Sequence, residues 1–146
     1  YWDMYARGAL FGLTRGTSRE HIIRAAQESI AYQSADLVAA MEKDTGLCIP
    51  ELKVDGGASR DSFLMQFQAD ISDCTIRRPV IRETTALGAC YLAGLAAGVW
   101  KDRAELKQLW RCDTLYQPRM EADIRARLLA GWDKAVGRSM DWAPHN

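Results

Sequence analysis

The chain has 146 residues, 48% of them hydrophobic, with 19 Lys and Arg cancelling 19 Asp and Glu to a formal net charge of zero. Charges of both signs alternate along it, so it carries neither the basic footprint of a nucleic-acid binder nor the polybasic patch of a membrane-surface protein, and a small metabolite is the partner easiest to accommodate. A domain of this length removes about 70% of its unfolded surface from water, enough for one real core.

In chain order, residues 8–13 read as a strand bordered by glycines. Thr17 followed by Glu20 has capping-box spacing and predicts a long helix, ended by Gly46. Ile23, Ala26, Ile30, Leu37 and Met41 recur at helical steps and are expected inward, with Arg24, Glu28, Asp36 and Lys43 on a solvated face. Pro50 precedes a strand over 51–55, a Gly-Gly turn, and a helix over 59–73 whose apolar face holds Phe63, Leu64, Phe67 and Ile71. A brief strand over 75–77 ends near Pro79.

The next helix, over 83–99, is rich in small residues: Ala86, Gly88, Ala89, Ala93, Gly94 and Ala97. Glycine inside a helix costs about 0.5–1 kcal/mol relative to alanine, so Gly88 and Gly94 require a close neighbour, either a sheet or a ligand. Largely apolar residues 84–100 are too short and too small-sided for a membrane span and read as a buried helix. A short helix over 103–109 and an extended segment over 113–117 follow. A final helix over 121–140 places Ile124, Leu128, Trp132 and Val136 at four-residue steps as a core stripe, and the tail 141–146 is expected to fray.

The chemistry concentrates in Leu52-Lys53-Val54-Asp55-Gly56-Gly57-Ala58-Ser59-Arg60-Asp61, where a strand breaks into two glycines before a helix. Glycine lets backbone approach a ligand with no Cβ in the way, and a helix start offers unpaired N–H groups to an anion. A plain tight turn has the same composition. Asp55 reads as a turn-holding acceptor rather than a catalytic carboxylate, Arg60 as solvent-facing, and His21 as a residue of the first helical turn without a paired nucleophile. Cys48, Cys74, Cys90 and Cys112 are widely spaced with only His21 and His145 to assist, which argues against a metal site and for reduced thiols in the cytoplasm. The N-terminal residues lack the succession of a signal peptide.

Around the glycine turn lie Phe63-Leu64-Met65-Gln66-Phe67-Gln68-Ala69-Asp70-Ile71 and Glu83-Thr84-Thr85-Ala86-Leu87-Gly88-Ala89-Cys90-Tyr91-Leu92-Ala93-Gly94. Upstream are Tyr1-Trp2-Asp3, residues 6–16, and Glu28-Ser29-Ile30-Ala31-Tyr32-Gln33. Together these resemble the C-terminal portion of the glycerol kinases, a family within the sugar and polyol kinases of actin and hexokinase-type fold. The resemblance covers nearly the whole chain and thins after about Tyr116.

The resemblance implies an α/β fold, part of the C-terminal actin-like (ribonuclease H-like) ATPase lobe, with residues 1–146 forming a partial nucleotide-binding lobe. It implies ATP or ADP as ligand, at Gly56, Gly57, Ala58 and Asp61, where the family commonly has Asn in place of Asp61. Glycerol, the proton acceptor and the Mg²⁺ ligands would belong to sequence outside this chain, which alone is expected to be inactive. The parent would be a homo-oligomer through other surfaces. A kinase of another sugar or polyol, or a non-catalytic nucleotide-binding or assembly module, are the alternatives. The family sheet has five strands in the order third, second, first, fourth, fifth. If 8–13 is the third, 51–55 the fourth and 75–77 the fifth, the sheet has a gap and two unpaired edges.

Overall fold

The computed structural model describes residues 3–145. Its first helix, α1 (Arg19–Thr45), begins one residue later than the spacing predicts. Thr17 Oγ1 accepts the Thr14 N–H at 2.9 Å and closes a turn of its own, leaving Ser18 as N-cap. The reciprocal partner is therefore His21, whose Nδ1 accepts the Ser18 N–H at 3.0 Å, and not Glu20. Gly46 ends the helix at φ 69°, as its position predicts.

The buried side of α1 is Ala31, Tyr32, Ala35 and Val38. This corrects the expected core stripe: Ile23 and Ile30 are each 48% exposed and Leu37 63%. The reason is the neighbour, since α2 (Ser62–Ser72) lies against α1 and the two alanines allow its backbone close, turning the larger aliphatic side chains outward.

Three strands form one sheet in the order β1-β2-β3: β1 (Glu51–Lys53), β2 (Thr75–Pro79) and β3 (Cys112–Tyr116). β1 and β2 are parallel, with Leu52 opposite Ile76, and the crossover that parallel pairing requires is α2. β3, the extended segment of the sequence reading, runs antiparallel to β2 with Tyr116 opposite Ile76. Residues 8–13 are not a strand. They are exposed and have no neighbouring chain to complete a ladder, without which an extended segment has no partners for its backbone groups. The expected pair of edges flanking a gap thus reduces to the open side of β1.

The core gathers where α1, α2 and the sheet meet. Ile76 and Ala69 are fully buried, the Tyr32 and Phe67 rings meet edge to face at 5.4 Å, and Trp132 stacks on Tyr32 at 5.2 Å. Phe63, expected on the inner face of α2, is 39% exposed, with the Arg24 guanidinium 5.4 Å above its ring. From α5 (Ala122–Ser139), Leu128 and Trp132 reach the core, Val136 is half-buried, and Ile124 stays 37% exposed. Asp36, expected in solvent, accepts the Trp132 Nε1–H at 2.8 Å.

Between β2 and β3 lie α3 (Thr84–Ala96) and α4 (Arg103–Leu109). Gly94 has a close neighbour, but it is the Trp100 ring, 2.0 Å from where a Cβ would stand, and not a sheet or a ligand. Gly88 has none within 4 Å. Nor is α3 the buried helix expected, for Leu92 is 71% exposed. The tail does not fray as far as it is described. Asp141 N–H donates to Asp3 Oδ2 at 2.7 Å, Ala143 N–H to the Tyr5 carbonyl at 2.9 Å, and His145 stacks on Tyr5; Asn146 lies outside the described residues.

Candidate nucleotide site

The glycine turn sits where β1 leaves the sheet. Val54 N–H still donates to the Arg77 carbonyl at 3.1 Å, and Gly56 N–H donates to the Arg82 carbonyl at 2.9 Å, fastening the turn to the segment between β2 and α3. Gly56 has φ 75° and ψ −176°, a region essentially closed to residues with a Cβ. The chain then makes a single 3₁₀ turn over Gly57–Arg60 before α2, so the expected helix over 59–73 is two elements joined at Asp61.

The residues singled out by sequence divide into two kinds. Gly56 and Asp61 shape the turn. One carboxylate oxygen of Asp61 accepts the Phe63 and Leu64 N–H groups at 2.9 and 3.1 Å, and the other accepts Gln27 Nε2 at 2.5 Å. Gly57 and Ala58 are different, because they are exposed and take no part in these side-chain contacts. Gly57 lies outside the left-handed region, and a Cβ on it would meet nothing within 4 Å.

Other expectations shift. Asp55 is exposed and accepts no hydrogen bond among the described residues; Ser59 holds the turn instead, being 1% exposed with its hydroxyl donating to the Gly56 carbonyl at 2.7 Å. Arg60 is exposed, as expected. Arg78, which the sequence reading passed over, reaches the Ser59 carbonyl at 3.2 Å through Nη1. The signal for it was present: strand alternation puts Arg78 on the same buried face as Ile76. Asp113 beside it is held below the ordinary carboxylate range by the Thr114 hydroxyl and then by Arg78.

The turn stands on open surface. A cavity of about 610 Å³ lies elsewhere, lined by His21, Arg24, Phe63, Gln66, Asp70 and Ile124 among others. Among the described residues no three His, Cys, Asp or Glu side chains gather to hold a metal, and no helix is long and apolar enough to cross a membrane. The four cysteines are free.

Comparison with known proteins gives this turn its context. The chain is 60% identical over 143 residues to a glycerol kinase of Dechloromonas aromatica, which covers 98% of the chain and 28% of that protein. It is 57% identical over 142 residues to glycerol kinase 2 of Thermotoga maritima, covering 97% of the chain and 29% of that protein. The chain therefore spans under a third of the length of these relatives. Its structure matches that of Plasmodium falciparum glycerol kinase with ADP at a TM-score of 0.82 and 35% identity, over 92% of this chain and 27% of that one. Xylulose kinase from Lactobacillus acidophilus matches at 0.80 and 28% identity, over 94% and 28%. The fold is accordingly the mixed α/β C-terminal lobe of the actin-like sugar kinases. Residues 1–97 match the C-terminal domain of the FGGY family of carbohydrate kinases, and to that family the chain belongs.

Proposed function

We propose that this chain is the ATP-binding C-terminal portion of a glycerol kinase, whose complete form transfers the γ-phosphoryl group of ATP to glycerol, giving glycerol 3-phosphate and ADP. The observation that carries the reading is Gly57. Gly56 is glycine because of its backbone angles, whereas among the described residues nothing requires Gly57 to lack a side chain. Close approach of a ligand to the backbone supplies that requirement. The names of the relatives favour glycerol over another polyol as the acceptor.

Phosphoryl transfer asks a protein mainly to position two substrates and neutralise charge. In this reading Gly56 bends the chain out of the sheet, Gly57 and Ala58 offer bare backbone to the nucleoside side of ATP, and Asp61 fixes the start of α2 beneath it. Mg²⁺ accompanies the nucleotide and screens its phosphates. In this reading the Mg²⁺ ligands, the proton acceptor and the glycerol contacts belong to the rest of the polypeptide, and this chain alone is inactive. A cytoplasmic homo-oligomer completes the proposal, in keeping with four free thiols.

The test is Gly57→Val in the full-length enzyme, with the KM for ATP, the KM for glycerol and the melting temperature measured together. A raised KM for ATP alone supports the site. An unchanged value in a stably folded variant removes Gly57 from it.

A further inference from the structure

Arg78 is 9% exposed and spends its guanidinium on three partners, two on β3 and one in the turn. Its Nε donates to Asp113 Oδ2 at 3.1 Å, Nη2 to Thr114 Oγ1 at 2.7 Å, and Nη1 to the Ser59 carbonyl at 3.2 Å. Asp113 Oδ2 also meets Arg82 Nη2 at 3.5 Å, and the Arg82 carbonyl accepts the Gly56 N–H at 2.9 Å. With the Ser59 hydroxyl on the Gly56 carbonyl at 2.7 Å, the contacts close a circuit through the turn: Gly56, Ser59, Arg78, Asp113, Arg82 and back to Gly56. The turn is thereby tied, through Arg82 and Arg78, to the distant strand β3 at both Gly56 and Ser59.

A role confined to joining β2 and β3 would not need the third bond. Asp113 and Thr114 satisfy two donor sets on β3 itself, but Nη1 points across β2 to a main-chain oxygen of the turn. Only a planar fork spans those directions together; a lysine ammonium on a flexible stem cannot. The other arginine of the strand, Arg77, serves as the internal contrast, because it pairs with exposed Glu51 at 3.1 Å and does not touch the turn.

We propose that Arg78 is a positioning residue for nucleotide binding, holding the carbonyl of Ser59 so that the Gly57–Ala58 backbone keeps the height and tilt at which a purine nucleotide meets it. The inference rests on the reading of that turn as the ATP site. Arg78 does not touch the nucleotide. It acts through Ser59 and Gly56.

The experiment uses the full-length enzyme with Arg78→Lys, Arg78→Met, Asp113→Asn, and Arg77→Met as contrast, beside Gly57→Val. The readouts are kcat, the KM values for ATP and glycerol, ADP affinity by calorimetry, and melting temperature. Arg78→Lys and Arg78→Met are expected to raise the KM for ATP and weaken ADP about tenfold, equivalent to ~1.4 kcal/mol, with kcat and glycerol KM within about twofold and Arg77→Met unchanged. Asp113→Asn should fall between, since it loosens Arg78 without removing it. If the two Arg78 variants leave ATP and ADP affinity unchanged while Gly57→Val weakens them, the inference is overturned and the site stands. If Gly57→Val has no effect, it is the site that falls. A proportional loss of kcat, glycerol affinity and melting temperature, or failure of both Arg78 variants to fold, assigns Arg78 to general stability and overturns the proposal.

Discussion

Gln27 of α1 donates its side-chain amide to Asp61 at 2.5 Å across 34 residues of sequence, so the longest helix of the chain is clamped to the residue that opens α2. Asp61 thereby has both oxygens committed inside the protein, one to α2 and one to α1. Removing the carboxylate in Asp61→Ala should cost about 1 kcal/mol of stability, the usual loss for an N-cap, measured by denaturant unfolding. Asp61→Asn keeps the capping oxygen but puts an amide donor opposite the Gln27 amide, which can accept it by turning its own oxygen inward. In the full-length enzyme ADP affinity should therefore stay within about twofold, short of the roughly 0.5–1.5 kcal/mol of one net hydrogen bond. Tighter ADP binding by calorimetry would show that the new donor faces the ligand instead.

Gly56 and Gly57, adjacent in sequence, should respond oppositely to alanine. Gly56→Ala forces a Cβ into φ 75°, ψ −176°, at a cost of about 1–3 kcal/mol regardless of ligand. Gly57→Ala meets open space and should leave the melting temperature unchanged or slightly higher, while the KM for ATP rises in the full-length enzyme. Equal destabilisation by both substitutions would remove the distinction.

The glycine turn, the strands β1 and β2, and the stop at Gly46 were legible because each depends on local chemistry: turn residues, Pro50, and a left-handed cap. The inward face of α1 was not. Its aliphatic periodicity is genuine, but the partner helix selects the alanines, and that choice depends on how closely α2 comes. Residues 8–13 have strand composition yet no strand beside them, and composition cannot supply one. At the turn, the glycines and Asp61 stood out in the sequence, whereas Gln27 acts over a length of chain that no local pattern spans, and Arg78 was legible only as a charge on the buried face of a strand, with nothing local to name its partners.

On α3 the two interior glycines should also separate. Gly94→Ala brings a Cβ within 2.0 Å of Trp100, whose ring also meets Tyr91 edge to face at 5.2 Å. Displacing that ring should cost about 1–3 kcal/mol. Gly88→Ala, with nothing within 4 Å, should stabilise the isolated chain by about 0.5–1 kcal/mol. Thermal melts of the two variants with tryptophan fluorescence check both, and a neutral Gly94→Ala would mean that the ring has room to yield.

The docking of the two chain ends should depend on acid. The Asp141 N–H is the main cause, followed by the Tyr5 N–H, that holds the Asp3 carboxyl below its ordinary value of 3.8. A depressed carboxyl contributes fully above its unfolded value and loses that contribution as pH falls through the folded one. The contact should therefore be intact above pH 3.8 and loosen below it. Amide exchange at Asp141 and Ala143 would report it, and Asp3→Asn should show faster exchange at neutral pH. Protection that is indifferent to both would assign the docking to the Ala143–Tyr5 backbone bond and the Tyr5–His145 stack.

Among the described residues, one strand edge and two apolar helix faces remain uncovered in the isolated chain. β1 has an open edge, since β2 occupies only its other side. The outward face of α1 shows Ile23, Ile30, Leu37 and Met41, each about half exposed or more. Charge-free α3 shows Leu92 at 71% exposure, and beside its two ends lie Ile81 and Val99 at 50% and 66%. A helix apolar all round belongs in an interior, and an unpaired strand edge is a template for another chain. In the relatives, of whose length this chain spans under a third, the remaining polypeptide is available to cover the corresponding surfaces. The isolated 146-residue chain is therefore expected to self-associate, with light scattering showing a mass that grows with concentration. Leu92→Lys and Leu37→Lys, each placing a charge on one uncovered face, should reduce the association without lowering the melting temperature, because neither side chain touches the core. A monomer that persists at high concentration and melts cooperatively would show that the three faces are tolerated in water, and that the lobe needs no partner to stay apart.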